Sequence, residues 1–275
     1  MDSSDQVLWA TDLVVEGVHF DLDLVTLGDA GYKALMVAVS DLAAMGAWPR
    51  FVLVSIAAPA GTDLELLGVG LAEAAVESGC VVVGGDLSQS PTLVVSTAVM
   101  GTLRADPDRG PLLRSGARPS DLLFVTGPLG GSAAGLRLLR SGDTAGPAAG
   151  GLVRAYRRPV ARLSEGEVAR MAGATAAIDI SDGLASDLRH LGASSGVGIA
   201  LDAVPVADGA TEAEALGGGE EYELLVTSGD ADRLMGSFRA AGLRLPLAIG
   251  RCTDQPGRCT LEGRPLSPGG WHHRF

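Results

Sequence analysis

Positive charge is scarce in this sequence, and lysine is almost missing: of 21 Lys and Arg positions in 275 residues, only Lys33 is lysine. With 33 Asp and Glu the formal net charge is -12 and the pI is about 4.7. Phosphate backbones are gripped by clustered Lys and Arg, so a nucleic-acid partner is not expected. The single lysine also removes the familiar phosphate-handling motifs. A P-loop needs Gly-Lys-Ser/Thr, whereas Lys33 stands between Tyr32 and Ala34. A protein-kinase fold needs its lysine on a strand, whereas Lys33 falls in a helical pattern. An anionic ligand must therefore be neutralised by something other than lysine.

Further absences narrow the class. Cysteine occurs only at 80, 252 and 259, an odd number without CxxC spacing. Neither a disulfide framework nor a zinc site follows, and a reduced cytoplasmic protein with a buried Cys80 thiol is expected. Aromatics make up 4%, so the core must be built from Val, Leu, Ala and Ile. No apolar run approaches the ~18 residues of a membrane span, and no signal peptide is read. "GPLGGSAAG" lacks the GxGxxG order of a dinucleotide fold, and no GxSxG elbow is present.

Glycine, by contrast, is abundant: 39 residues, twice the usual ~7%. The length favours two domains. Residues 29–46 read as a helix with Asp29 as N-cap, closed by Gly46 and Pro49. A buried strand follows at 51–58, then a helix at 63–78 with Gly79 as C-cap. "CVVV" reads as a strand, "GGD" as a turn, and 92–102 as another strand. The Pro-, Gly- and charge-rich stretch 104–121 marks a linker. The second half gives a strand at 121–126, a helix at 131–140, a Gly/Ala-rich loop at 141–151 and a helix near 160–172. Strands at 175–180, 198–204, 221–227 and 247–253 follow, with helices opened by Ser181-Asp182 and near 231–241. Alternating strands and helices imply an α/β layered fold, divided at 1–108 and 109–275.

The chemistry concentrates in carboxylates. Asp179 interrupts a strand of Ala and Ile, where a charge is costly unless paired or bound to a cation. Asp182 and Ser181 sit where strand becomes helix, a place that suits anions. Asp41 lies in an apolar helix, Asp12 ends a strand, and Asp86 follows paired glycines. Each has a plain structural alternative: a helix cap for Ser181 or Asp182, an edge position for Asp179, a solvated helix position for Asp41, a turn for Asp86. Asp187 reads as a solvated helix residue. Oxygen ligands without Cys or His clustering point to Mg²⁺ rather than zinc. His19 has no second His nearby, so a structural or substrate-contacting role fits it better than metal binding.

Taken in order, "TDLVVEGVHF", "GYKALMVAVSDLAAMGAWP", "VVGGD", "LLRSGARPSDLLFVTGPLGGSAAGL", "AIDISDGLASDL", "GGGEEYELL" and "AIG" closely resemble the thiamine-monophosphate kinases, within the aminoimidazole ribonucleotide synthetase-like superfamily. The resemblance runs from about residue 9 to 271. It implies ATP-dependent phosphorylation of thiamine monophosphate by direct in-line transfer, assisted by several Mg²⁺ ions, in a homodimer joined through the N-terminal domains. The acceptor is already an anionic phosphate, so no general base is implied. By similarity Thr11, Asp12, Asp41, Asp86, Asp179 and Asp182 match metal positions. Gly85, Asp86, Arg114 and Ser181 match nucleotide positions, and His19, Glu220 and Trp271 match substrate positions. For Trp271, cation–π attraction to a thiazolium is the functional reading and a core-sealing tail residue the structural one.

Two departures stand out. Glu221 replaces the Asp usual in the family's Gly-Gly-Glu-Asp-Tyr-Glu-Leu. The family also carries a glycine-rich segment with paired aspartates ahead of the Thr-Asp strand, and an in-frame counterpart is expected upstream of Met1. A sister ATP-using activity (aminoimidazole ribonucleotide or selenophosphate synthesis) and a non-catalytic thiamine-phosphate- or nucleotide-binding dimer stay open as alternatives.

Overall fold

The computed structural model describes residues 6–103, 106, 109–267 and 269–271. Period-two alternation shapes its first half. Strand β1 (Val7–Val15) alternates exposed and covered residues, as a sheet with one covered face requires. It pairs antiparallel with β4 (Val94–Thr102), which pairs antiparallel with β2 (Trp48–Ala58). Strand β3 (Val81–Gln89) runs parallel to β2, so the order is β1-β4-β2-β3. The parallel step is bridged by helix α2 (Leu64–Ser78), capped by Asp63 and ended at Gly79, which is left-handed. On the inner face Val14, Val52, Val54, Val95 and Val99 are buried with residues of α1 (Leu27–Ala44). The outer face leaves Trp9, Leu13, Phe51 and Leu53 exposed.

Helix α1 is apolar nearly all round and is buried along almost its whole length. It can be so because it packs against β1 and β4 on one side and against elements of the second half on the other. The second half runs through β5 (Leu122–Val125), α3 (Gly131–Ser141), α4 (Ala149–Arg157), α5 (Leu163–Ala172), β6 (Ala176–Asp179) and α6 (Leu184–Ser195), of which α4, α5 and β6 meet α1. It continues with β7 (Gly198–Leu201), α7 (Glu212–Gly217), β8 (Leu224–Ser228), α8 (Ala231–Ala240), β9 (Leu247–Thr253), β10 (Cys259–Leu261) and β11 (Arg264–Pro265). The seven strands form one mixed sheet in the order β11-β10-β7-β9-β5-β8-β6. Both its faces are covered. Leu225 joins one core with Leu123, Val125 and Leu188, while Leu224 and Val226 join another with Phe124 and Phe238. The α/β layered class and two-part organisation expected from the sequence are present.

Several local expectations need correction. Asp29 is not the N-cap of α1: Thr26 is, with Asp29 three residues on returning a hydrogen bond as a capping box. "GGD" is not a turn, because Gly84, Gly85 and Asp86 continue β3. A Cβ on Gly85 would lie 1.7 Å from the Val54 carbonyl oxygen, so the glycine serves close strand approach. The 141–151 loop already contains the start of α4, and α5 begins only at Leu163. Strand β8 begins at Leu224, so Glu221 to Glu223 lie in irregular backbone. The expected linker is only partly described, and Pro107 and Asp108 at the expected boundary lie outside the described residues. Among the described residues no helix is long and apolar enough to cross a membrane.

Candidate functional site

The site forms where α1 bridges the two halves. Strand β1 delivers Asp12, α1 delivers Asp41, and the end of β6 delivers Asp179. Asp179 is buried, and its Oδ2 accepts a 2.7 Å hydrogen bond from the Ser40 hydroxyl of α1. Burial raises its pKa most, opposed by the Ser40 bond and the Arg114 guanidinium, with Asp12 raising it further. Asp41 is pushed up to about 7, first by burial and then by Asp179 and Asp12, against the pull of Arg114. Burial also raises Asp12, opposed by the Leu13 N–H, and Glu220 adds to the rise. Asp12 raises both Asp41 and Asp179, and the Arg114 guanidinium offsets that repulsion only in part. The all-oxygen donor set of these carboxylates fits a hard divalent cation, and mutual repulsion is what such an ion relieves. Arg114 is exposed and lines a cavity of about 630 Å³ together with Asp41, Asp179 and Trp9.

A second acidic group follows in the chain. Between β6 and α6 the backbone turns through Gly183 at φ +110°, where a Cβ would meet Gly217 at 3.0 Å. Asp187 folds back from α6, and its Oδ2 accepts the N–H groups of Asp182 and Gly183, both at 3.1 Å. The expectation of a solvated Asp187 is therefore wrong: it is 1% exposed, because its carboxylate satisfies loop amides that would otherwise be orphaned. Burial, then Asp182 and Asp179, push it up to about 8. Its ligand atom lies within 4.8 Å of those of Asp182 and His190, a spacing that suits a cation. Sequence reasoning missed Asp187 and His190; their i, i+3 spacing on α6 was the available signal.

The opposite wall is the segment after α7. Glu220 and Tyr222 have positive φ values of +63° and +53°, unusual for residues with side chains. The conformation is held by N–H donation from Glu220 to the Ser181 carbonyl (2.7 Å) and from Glu221 and Tyr222 to that of Ile180. Ser181 thus contributes its backbone to this wall. The Nδ1 of His19 accepts the Val15 N–H at 3.1 Å, fixing the turn after β1. The Trp271 N–H donates to the Asp182 carbonyl at 2.8 Å, while its side chain stays 51% exposed. The chain end is thereby tied to the acidic loop rather than sealed in a core. Glu221 points elsewhere: it accepts the Ser132 N–H at 3.1 Å, at the start of α3, which has no side-chain cap of its own. Burial pushes it up to about 7 against the pull of those amides.

Asp86 and Gly85 are not brought to this centre. Asp12 pairs with Thr97, Thr97 with Val54, and Val54 with Gly85. Three strand spacings therefore separate them, about 14 Å. Pleating also places Thr11 and Asp12 on opposite faces; the Thr11 hydroxyl donates to the Thr97 carbonyl at 3.0 Å. Asp86 shares neither the row nor the face of Asp12.

The two halves match the models for AIR synthase related proteins, the N-terminal domain over residues 1–103 and the C-terminal domain over 118–261. This two-domain architecture defines the class. The hydrogenase maturation protein HypE of E. coli shares the fold at a TM-score of 0.75, with 20% identity over 96% of this chain and 87% of that one. The similarity to one activity within the class is much greater. The thiamine-monophosphate kinase of Mycobacterium tuberculosis (strain H37Rv) is 37% identical over 265 residues, covering 92% of this chain and 76% of that protein. The solved structure of AaThiL complexed with AMPPCP and TMP superposes at a TM-score of 0.88, with 32% identity over 100% of this chain and 89% of that one. The chain belongs to the thiamine-monophosphate kinase family, and with it to the kinases.

Proposed function

We propose that this chain transfers the γ-phosphoryl group of ATP in line to the phosphate of thiamine monophosphate, yielding thiamine diphosphate and ADP. The observation that carries the reading is the convergence of Asp12, Asp41 and Asp179 beside Arg114, in a chain that has almost no lysine. Relatives named for this activity, and one solved with a nucleotide analogue and TMP, support it. Asp12, Asp41 and Asp179, together with Asp182, are the residues suited to hold Mg²⁺, which when bound neutralises the facing phosphates and orients them. Arg114 meets nucleotide phosphate by bidentate donation. Glu220 and Trp271 hold the thiamine portion, with His19 fixing the turn beside them. No residue need act as a base, because the acceptor oxygen carries its charge already.

The uncovered sheet supports a homodimer. Among the described residues strands β1 and β3 are the two edges of this sheet, and the outer face carries Trp9, Leu13, Phe51 and Leu53. Joining β3 of one copy to β1 of another, twice, closes an eight-stranded barrel of the size that side chains fill. That closure buries the outer face and brings the edge strand that carries Asp86 in one copy next to the edge strand that carries Asp12 in the other. Free thiols at Cys80 and Cys252, both buried, accord with a reduced cytoplasmic setting.

The test is formation of thiamine diphosphate from ATP and thiamine monophosphate with Mg²⁺. Turnover that disappears in Asp41→Asn is expected. A folded, ATP-binding protein without turnover would contradict the reading.

A further inference from the structure

The one lysine of the chain has a place no phosphate motif explains. Lys33 is 2% exposed in the middle of α1. Its Nζ donates to Glu220 Oε2 at 2.7 Å and to the His19 carbonyl at 3.1 Å, and lies 4.4 Å from the centre of the Tyr156 ring. Those partners come from three separate segments: the loop after α7, the turn after β1, and helix α4. Burying an ammonium is costly even when it is paired, so the Lys33–Glu220 ion pair is by itself a poor device for stability. The other basic positions are all arginine, yet this one has a compact, single-point arrangement of acceptors. A carboxylate oxygen, a carbonyl and a ring face match three rotatable donors on one nitrogen, and do not match a planar guanidinium fork.

The partner carboxylate is left half satisfied. Glu220 sits in left-handed backbone, its Oε2 is taken by Lys33, and its Oε1 is buried with no hydrogen-bond partner among the described residues. A buried acceptor without a partner calls for an explanation, and a ligand N–H supplies one.

We propose that Lys33 is the positioning residue of the acceptor-substrate pocket. By occupying one oxygen of Glu220 it fixes the carboxylate and reserves the other for an N–H donor of the aminopyrimidine, and through His19 it sets the adjacent wall. This rests on the kinase reading above and adds a residue that acts through Glu220 without touching the transferred phosphoryl group. The nucleotide side, marked by Arg114, is independent of it.

The experiment is steady-state kinetics and calorimetric titration with thiamine monophosphate on wild type, K33M, K33R, E220Q and K33M/E220Q, each checked by thermal melting. Lys33→Met is expected to raise KM and Kd for thiamine monophosphate at least tenfold while KM for ATP stays within twofold. K33R is expected to raise the same two constants severalfold, because the charge returns without the geometry. The double variant should be no worse than K33M alone, since the two side chains work as one unit. If K33M does not fold, K33R and E220Q carry the test with the same selective pattern. Equal rises in both KM values, no change in either, or additive losses in the double variant would overturn the proposal. Absence of wild-type turnover would instead overturn the kinase reading, and the titrations would still judge Lys33: binding by wild type that K33M lacks supports it, and equal binding or none overturns it.

Discussion

The two sheets of this molecule are built on opposite plans. In the seven-stranded sheet, β8 is buried at every position, with successive residues feeding cores on both faces. In the four-stranded sheet, β3 is exposed at every position, and β1 alternates strictly until Val14. A sheet covered on both faces is complete in one chain. A sheet with exposed edge strands and an apolar outer face is the surface that the proposed dimer would cover. The acidic centre lies at the seam, drawing Asp12 from the open sheet and Asp179 from the closed one.

Substitutions should separate the two plans, and the largest effect belongs to the open sheet. Leu53→Asp puts a charge on the exposed outer face and is expected to halve the mass in analytical ultracentrifugation, with activity falling at least 100-fold; an unchanged mass would mean that this face has no partner copy. Next comes Phe238→Ala, in the fully buried core under α8, which should cost about 3–5 kcal/mol in denaturant melts and leave the mass unchanged.

The third effect is a pH dependence carried by Glu221. Its folded pKa is raised from 4.5 to about 7, so the folded protein keeps a proton that the unfolded chain releases. The resulting stability is fully present below pH 4.5 and is lost as pH rises through 7, a change of about 3 kcal/mol. Glu221→Gln should flatten urea-melt stability between pH 5 and 8 by that amount. The smallest effect is at the seam. Mg²⁺ at a hundred times its dissociation constant should add about 2.7 kcal/mol at pH 8. It should add less at pH 6, where Asp41, raised to about 7, holds a proton that competes with the ion. Thermal melts with and without Mg²⁺ at the two pH values measure both.

Much of this was legible in the residues. The run 221–227 was legible as a strand, which β8 (Leu224–Ser228) bears out in its second half, and Asp63 with Gly79 bracketed α2. From the residues alone Asp12, Asp41 and Asp179 were separate positions, grouped as metal positions only by the family resemblance, because nothing in their spacing shows α1 lying between two sheets. Thr26 and Asp29 did form a readable capping pattern, but Asp29, nearest the apolar run, claimed the cap. Gly84-Gly85-Asp86 reads as a turn locally, whereas tertiary contact with the Val54 carbonyl makes it strand. Asp187 was misjudged because its partners are loop amides that only the Gly183 bend brings within reach. The distance from Asp86 to Asp12 depends on strand order, which no local pattern encodes.

That distance carries the central claim, that each site is completed across two copies. The direct measurement is complementation between Asp86→Ala and Asp41→Ala, each inactive alone, co-expressed so that mixed dimers form. If Asp86 serves the neighbouring copy, each mixed dimer keeps one whole site, and about a quarter of wild-type activity is expected for random pairing. If Asp86 serves its own chain, every site in every dimer lacks one carboxylate, and the mixture stays inactive.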